Sequence, residues 1–354
     1  MVAIIVDHLR FFPNGLDWWG MRGGLFVTAA EGFFIMSGIV LGIVRGAKYI
    51  DRPMNEVTKL LLKRGFRLYL TVAVLAIIFT LIGWAYMHAG IGGIKPGIFP
   101  ADTSIWQVVL SSFTLQYYYG WADYLRLYAL FLFASPLVFW LLRKGLWYIA
   151  LAGSFAVWLL FPLLVGGGGY SAAEYWQPVS WQLLFFMGVI IGFNWNFFLD
   201  TWNGFSDRVR QIISVSLVST AAITLVISVL FMLSTMGYNT GPFTSDLRHI
   251  IFSNFFNKES LPLTRILLAM IWFWAGFWVF KRFEKPIKKV IGWLLLPFGT
   301  NSLYVYTLHA FAVFFVHIHI SRGSLLWNFI VTAGVILLIR LCVHYKVLMK
   351  IIPR

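Results

Sequence analysis

Three side chains in this sequence combine reactive chemistry with an unusual setting. His8 lies in a short apolar run, MVAIIVDHLRFF; Glu31 lies in a longer one, FVTAAEGFFIMSGIVLGIVRG; His309 lies mid-run in NSLYVYTLHAFAVFF. Ionisable groups in hydrocarbon are costly, and where they occur they point to function. A neutral imidazole can take a proton from a hydroxyl near pH 7 when a second group orients it. His8 with Glu31 fits that pattern, and Asp7 does so less well, because adjacent positions on a helix point about 100° apart. The bland alternatives are an ordinary interfacial His8, a Glu31 that only accepts structural hydrogen bonds, and a His309 that only bonds a neighbouring helix. His317 and His319, near the end of the same run as His309, read as interfacial.

The cations form a second group. Lys59, Lys63, Arg64 and Arg67 fall at i, i+4, i+5 and i+8, so Lys59, Lys63 and Arg67 share one helix face. Such a face suits a polyphosphate, for example the nucleotide end of coenzyme A; the plainer reading is an anchor on the cytoplasmic side of a membrane. Arg22, Arg126 and Arg265 fall near the opposite ends of apolar runs. Together they could line a glycan or carboxylate site, and singly each reads as a snorkelling anchor.

The elements that must hold these residues are membrane helices. The 354-residue chain is 60% hydrophobic and 12% charged, against roughly 25% charged usage in soluble domains. Its apolar runs are near twenty residues and do not alternate, which excludes a β-barrel. The fold class is all-α, a polytopic membrane helical bundle. Spans fit Gly24–Val44, Leu60–Met87, Tyr124–Leu142, Leu146–Val165, Val179–Trp195, Gln211–Leu233, Leu263–Phe280, Asn301–Ile320 and Leu325–Val343, with Gln107–Tyr119 interfacial or re-entrant. Residues 1–12 are half a span long and lack the features of a signal peptide, so they read as a first helix truncated at its start. That makes about ten spans in one integral-membrane domain, 1–354.

The net charge of +15 is distributed in short clusters between the runs, where the positive-inside rule expects it, which argues against nucleic acid as a partner. Arg45–Arg67, Arg143 with Lys144, Arg208 with Arg210, Lys281–Lys289 and the tail Lys346–Arg354 would face the cytoplasm. The connections around Lys95, Glu174, Asp246–Arg265 and Arg322 would lie outside. On that topology His8 and Glu31 share a depth near the outer surface, and the basic cluster lies at the inner one. One cysteine, Cys342, and seven histidines without a CxxC or HExxH pattern offer neither a disulfide framework nor a metal site.

The stretches AAEGFFIMSGIVLGIVRG, LLLKRGFRLYL, YLRLYALFLFASPLVFWLLRKG, WQPVSWQLLFFMGVIIG, FNKESLPLTRILLAM and FGTNSLYVYTLH occur in that order over most of the chain. The sequence thereby resembles the OpgC family, within the type 3 membrane acyltransferases. The resemblance implies ten spans and transfer of an acyl group, succinyl in the named members, from a cytoplasmic donor to hydroxyls of periplasmic glucans. It maps the superfamily's catalytic histidine onto His8, whose basic partner would precede Met1. It also places Glu31, Arg64, Arg67, Trp181, Gln182 and His309 in family stretches.

The expectation is therefore a multi-pass O-acyltransferase of a bacterial inner membrane. Acyl-CoA would be the co-substrate, with no bound cofactor, and a glycan the acceptor; the oligomeric state is open. His8 and Glu31 are the catalytic candidates. Lys63, Arg64 and Arg67 would hold donor phosphates, with Arg22, Arg126, Trp181, Gln182, Arg265 and His309 at the substrate and Gln182 or His309 at the oxyanion. Direct transfer is favoured over an acyl-enzyme, because Cys342 lies near the inner end of the last span and Ser37 has no base near it in sequence. The rival is a transporter or flippase for an anionic or glycan substrate, although the paired, broken spans common in transporters are not evident.

Overall fold

Apolar runs with no water to satisfy their backbone must bond internally, so they form helices. The computed structural model describes residues 1–94, 97–119, 123–165, 173–349 and 352, and among them there is no strand. The helices are α1 Val2–Leu9, α2 Ala29–Leu41, α3 Met54–His88, α4 Ile105–Phe113, α5 Asp123–Arg143, α6 Trp147–Val165 and α7 Ala173–Phe193. They continue with α8 Trp195–Gly204, α9 Asp207–Thr235, α10 Ser245–Phe255, α11 Leu263–Arg282, α12 Glu284–Thr300, α13 Ser302–His319 and α14 Leu325–His344. Lys95, Lys350, Arg354 and the side chain of Glu174, which figured in the charge reading, lie outside the described residues.

The chain is a polytopic helical membrane protein. Among the described residues seven helices are long and apolar enough to cross a bilayer, or eight if a bent pair is one span. The seven are α2 extended to Tyr49, α3, most of α5, α9, α11, α13 and α14; the bent pair is Pro178–Phe193 with α8, at 71°. The expected count of about ten is not confirmed among the described residues, where α1 has 8 residues and the apolar part of α6, Trp147–Leu160, is shorter than a span. Large apolar side chains stand outward, among them Leu137, Ile223, Val226 and Leu326. In water such a surface would aggregate, and in lipid it is the ordinary exterior. Three helices occupy stretches that the sequence reading left as connections: α8, α10 and α12.

The chain packs as two compact units. One comprises Met1–Arg22, Leu60–Phe133 and Lys288–Arg354, the other Gly23–Lys59 and Ala134–Ile287. In the first, α1 is set into α13 and α14: Ile5, Val6 and Leu9 meet Tyr304, Val305, Val313, Val335 and Ile339 in one buried cluster. In the second, α2 lies directly against α7 along a seam of glycines. A Cβ on Gly38 would stand 2.2 Å from the Phe185 carbonyl oxygen, and one on Gly42 2.3 Å from that of Val189. From the other side, Cβ atoms on Gly188 and Gly192 would stand 2.4 and 2.1 Å from the carbonyls of Ile35 and Ile39. Each helix thus contributes a Gly-x-x-x-Gly pair. Between helices in lipid there is no hydrophobic drive, so close backbone approach and dispersion hold the pair.

Candidate functional site

In the first unit α1 is too short to be stable alone, and its placement comes from α13 and α14. His317 donates from Nε2 to the Leu9 carbonyl at 2.8 Å, satisfying an acceptor that the end of α1 leaves open. The loop that follows is tied to α14. Buried Asn14 donates to Thr332 Oγ1 at 3.1 Å and accepts from the Leu16 and Asp17 amides, while Asn328 donates to the Pro13 carbonyl. Asp17 in turn accepts from Arg22 Nε at 2.9 Å, and that guanidinium covers the Phe12 ring.

This frame brings His8 to His309. Nδ1 of His8 is 2.8 Å from Nε2 of His309, and the ring centroids are 5.0 Å apart. His309 is fully buried, and its Nδ1 lies 2.6 Å from the Tyr306 carbonyl oxygen, one turn earlier on α13. The Tyr306 ring lies 4.7 Å from the His309 ring and 6.1 Å from Tyr124 on α5.

The cations of this unit fall into two settings. Lys63 and Arg67 are exposed on α3. Arg64 between them is partly buried, with its guanidinium 5.7 Å from the centre of the Tyr128 ring. Among the described residues its Nε has no hydrogen-bond partner. Arg126, nearly buried on α5, stacks on Tyr118 at 3.9 Å and donates to the Leu115 carbonyl. Near it Tyr117 shares a 2.8 Å hydrogen bond with Thr80, and burial pushes its phenol pKa up.

In the second unit Glu31 opens α2 as the third residue of a capping box. Its Oε2 accepts from the Thr28 amide at 2.9 Å and the Thr28 hydroxyl at 2.7 Å. Its Oε1 accepts from Nε of Arg265 on α11 at 2.6 Å, Nη2 of the same guanidinium stands at ion-pair distance (2.5 Å) without making a hydrogen bond, and both side chains are buried. Arg265 also donates from Nη1 to the Phe256 carbonyl at 2.5 Å. The strap between α10 and α11 is held at three further carbonyls: Trp181 Nε1 bonds that of Lys258, Trp158 Nε1 that of Leu261, and the Thr264 hydroxyl that of Phe255. Gln182 is paired twice with Ser154, accepting from its hydroxyl at 2.6 Å and donating to its carbonyl at 2.7 Å, which ties α7 to α6.

The residues singled out by type thus sort into His8 with His309, and Glu31 with Arg265. Trp181 and Gln182 are engaged with the strap and with α6. The His8–His309 pairing is not legible in the sequence, since no spacing rule reaches across 301 positions. Among the described residues no cluster of three or more His, Cys, Asp or Glu could hold a metal ion.

The all-helical frame with its apolar spans defines the class as an integral-membrane protein, and within it the imidazole pair is the contact between two of the ionisable residues singled out above. The chain belongs to the OpgC family: the model of the OpgC protein matches residues 1–351. Membership brings a glucan-modifying, acyltransferase-like role and makes the chain a transferase. No curated protein and no solved structure matches the chain.

Proposed function

We propose that this protein is an O-acyltransferase of a bacterial inner membrane that moves an acyl group, succinyl by the family's example, from cytoplasmic acyl-CoA to a hydroxyl of a periplasmic glucan. The observation that carries the reading is the imidazole pair of half-buried His8 on α1 and buried His309 on α13 in a chain of this family. His8 takes the proton of the glucan hydroxyl as the oxygen attacks the thioester carbonyl. The tetrahedral intermediate collapses with cleavage of the C–S bond, and the proton on His8 passes to the departing thiolate. One C–O bond replaces one C–S bond, and the imidazole ends neutral.

The donor's phosphates are assigned to Lys63, Arg64 and Arg67. Lys63 and Arg67 are exposed, and Arg64 between them is partly buried. Arg22 and Arg126 are assigned to the glucan side of the same unit. Glu31 and Arg265 already bond each other, Trp181 the strap and Gln182 Ser154 on α6, which supports a part in positioning rather than in chemistry.

The reading is tested with purified protein in lipid nanodiscs, given radiolabelled succinyl-CoA and a neutral glucan oligosaccharide. Label should appear on the glucan as an ester, and His8→Ala should slow its appearance by about 10²-fold or more, the usual share of a general base. Undiminished transfer by His8→Ala overturns the mechanism. Uptake of glucan into sealed vesicles with no ester formed overturns the enzyme.

A further inference from the structure

Two contacts of the imidazole pair bear on where its protons sit. A carbonyl oxygen can only accept, so the 2.6 Å contact between His309 Nδ1 and Tyr306 requires the hydrogen on Nδ1. His309 is fully buried, and a second proton on its Nε2 would place an ion in an enclosed site. Nε2 of His309 therefore holds a lone pair. The hydrogen that fills its 2.8 Å contact with His8 must then come from Nδ1 of His8. A neutral ring has one such hydrogen, so the lone pair of His8 is on Nε2.

We infer that His309 is the positioning residue of the reaction: the Tyr306 carbonyl sets its tautomer, and it sets that of His8. The inference rests on the reading of His8 as the base and adds the atom at which the base acts, Nε2. A carboxylate normally orients a catalytic histidine from the far nitrogen, and here a second imidazole does so. As His8 gains a proton at Nε2, its Nδ1–H donor becomes cationic and the bond to His309 strengthens, so the interaction is worth more in the transition state than at rest. In this arrangement both nitrogens of His309 are engaged, one donating to Tyr306 and one accepting from His8. The oxyanion is left to other donors.

Two measurements test this. In protein with ¹⁵N-labelled imidazoles, the ring-nitrogen spectrum should show hydrogen on Nδ1 and none on Nε2 for both His8 and His309, assigned by loss of signals in His8→Ala and His309→Gln. Hydrogen on Nε2 of resting His8, or an imidazolium at His309, overturns the inference.

In the succinyl-transfer assay, His309→Phe keeps a ring but removes the acceptor. It should lower kcat by about 10²- to 10⁴-fold, as loss of a tautomer-setting partner does, with KM for donor and glucan little changed. His309→Gln, whose amide oxygen can accept from Nδ1 of His8, should recover activity to within about tenfold of the parent. In a His8→Ala background His309→Phe should add nothing, because the two act as a unit.

Full activity in His309→Phe with His8→Ala inactive sinks the role of His309 and leaves His8 as the base. Full activity in His8→Ala sinks the underlying reading instead. Should His309→Phe fail to fold, the spectrum of the unaltered protein still decides the tautomer.

Discussion

The Glu31–Arg265 pair gives the sharpest test of what holds the second unit together. Both side chains are buried, and Oε1 of Glu31 accepts from Nε of Arg265 at 2.6 Å, with Nη2 of the same guanidinium 2.5 Å away as the second ion-pair contact. Removing one partner strands a charge without water, at a cost of about 3–5 kcal/mol, so Glu31→Met and Arg265→Met should each destabilise by that amount. Removing both strands no charge. What remains is the loss of partners for the Thr28 donors and for the Phe256 carbonyl, about 2–4 kcal/mol in total. The singles sum to about 6–10 kcal/mol, so the double variant should fall short of additivity by about 2 kcal/mol or more, roughly thirtyfold or more in the unfolding equilibrium. The assay is reversible unfolding in mixed micelles, followed by helical circular dichroism. A coupling below about 1 kcal/mol would refute the argument that burial makes the pair interdependent. A folded Glu31→Gln with kcat near zero would instead move Glu31 into the chemistry.

Three further outcomes are expected. Gly192→Ala should cost about 1–3 kcal/mol by driving a methyl into the Ile39 carbonyl, whereas Gly153→Ala on α6, with nothing within 4 Å, should be neutral or stabilising. Equal effects at the two sites in a thermal melt would contradict the α2–α7 seam. Lys63→Gln combined with Arg67→Gln should raise KM for succinyl-CoA by about tenfold and weaken its salt dependence, with kcat little altered; an unchanged KM removes the phosphate assignment. Burial holds the Tyr117 phenol pKa above its ordinary 10.0, so the native state keeps a proton that the unfolded chain releases. Stability should therefore be insensitive to this group below about pH 10 and fall as pH climbs from there toward the native value, and Tyr117→Phe should flatten that fall in alkaline melts.

How much of this was legible in the sequence depends on whether a feature is local. The long spans were, because an apolar run dictates helix wherever lipid surrounds it, and α9, α11, α13 and α14 lie within a few residues of their expected bounds. The helices α10 and α12 were not, since their polar and basic residues read as connections. The seam between α2 and α7 was half legible: Gly38-x-x-x-Gly42 and Gly188-x-x-x-Gly192 are visible spacings, but nothing in either says which helix it meets. The site followed the same division. His8, Glu31 and His309 stood out because ionisable groups among apolar neighbours are costly, and Arg265 as a cation near the end of a span. Which of them meet was decided by packing between segments 301 and 234 positions apart, where no periodicity reaches. Gln182 stood out only through the family resemblance, and its partner Ser154 is what keeps it satisfied in its span.

The same separation has a consequence for how the protein is made. Ribosomes deliver α2 before α11, and Arg265 follows Glu31 by 234 positions. At about 5–20 residues per second, roughly 10–50 s pass between their syntheses. For that interval the carboxylate at the head of α2 has only its own capping box, and the glycine face that will meet α7 has lipid, water or the insertion machinery against it until α7 arrives. The second unit is therefore assembled from a helix that must wait, and its native contacts can close only after most of the chain has been translated.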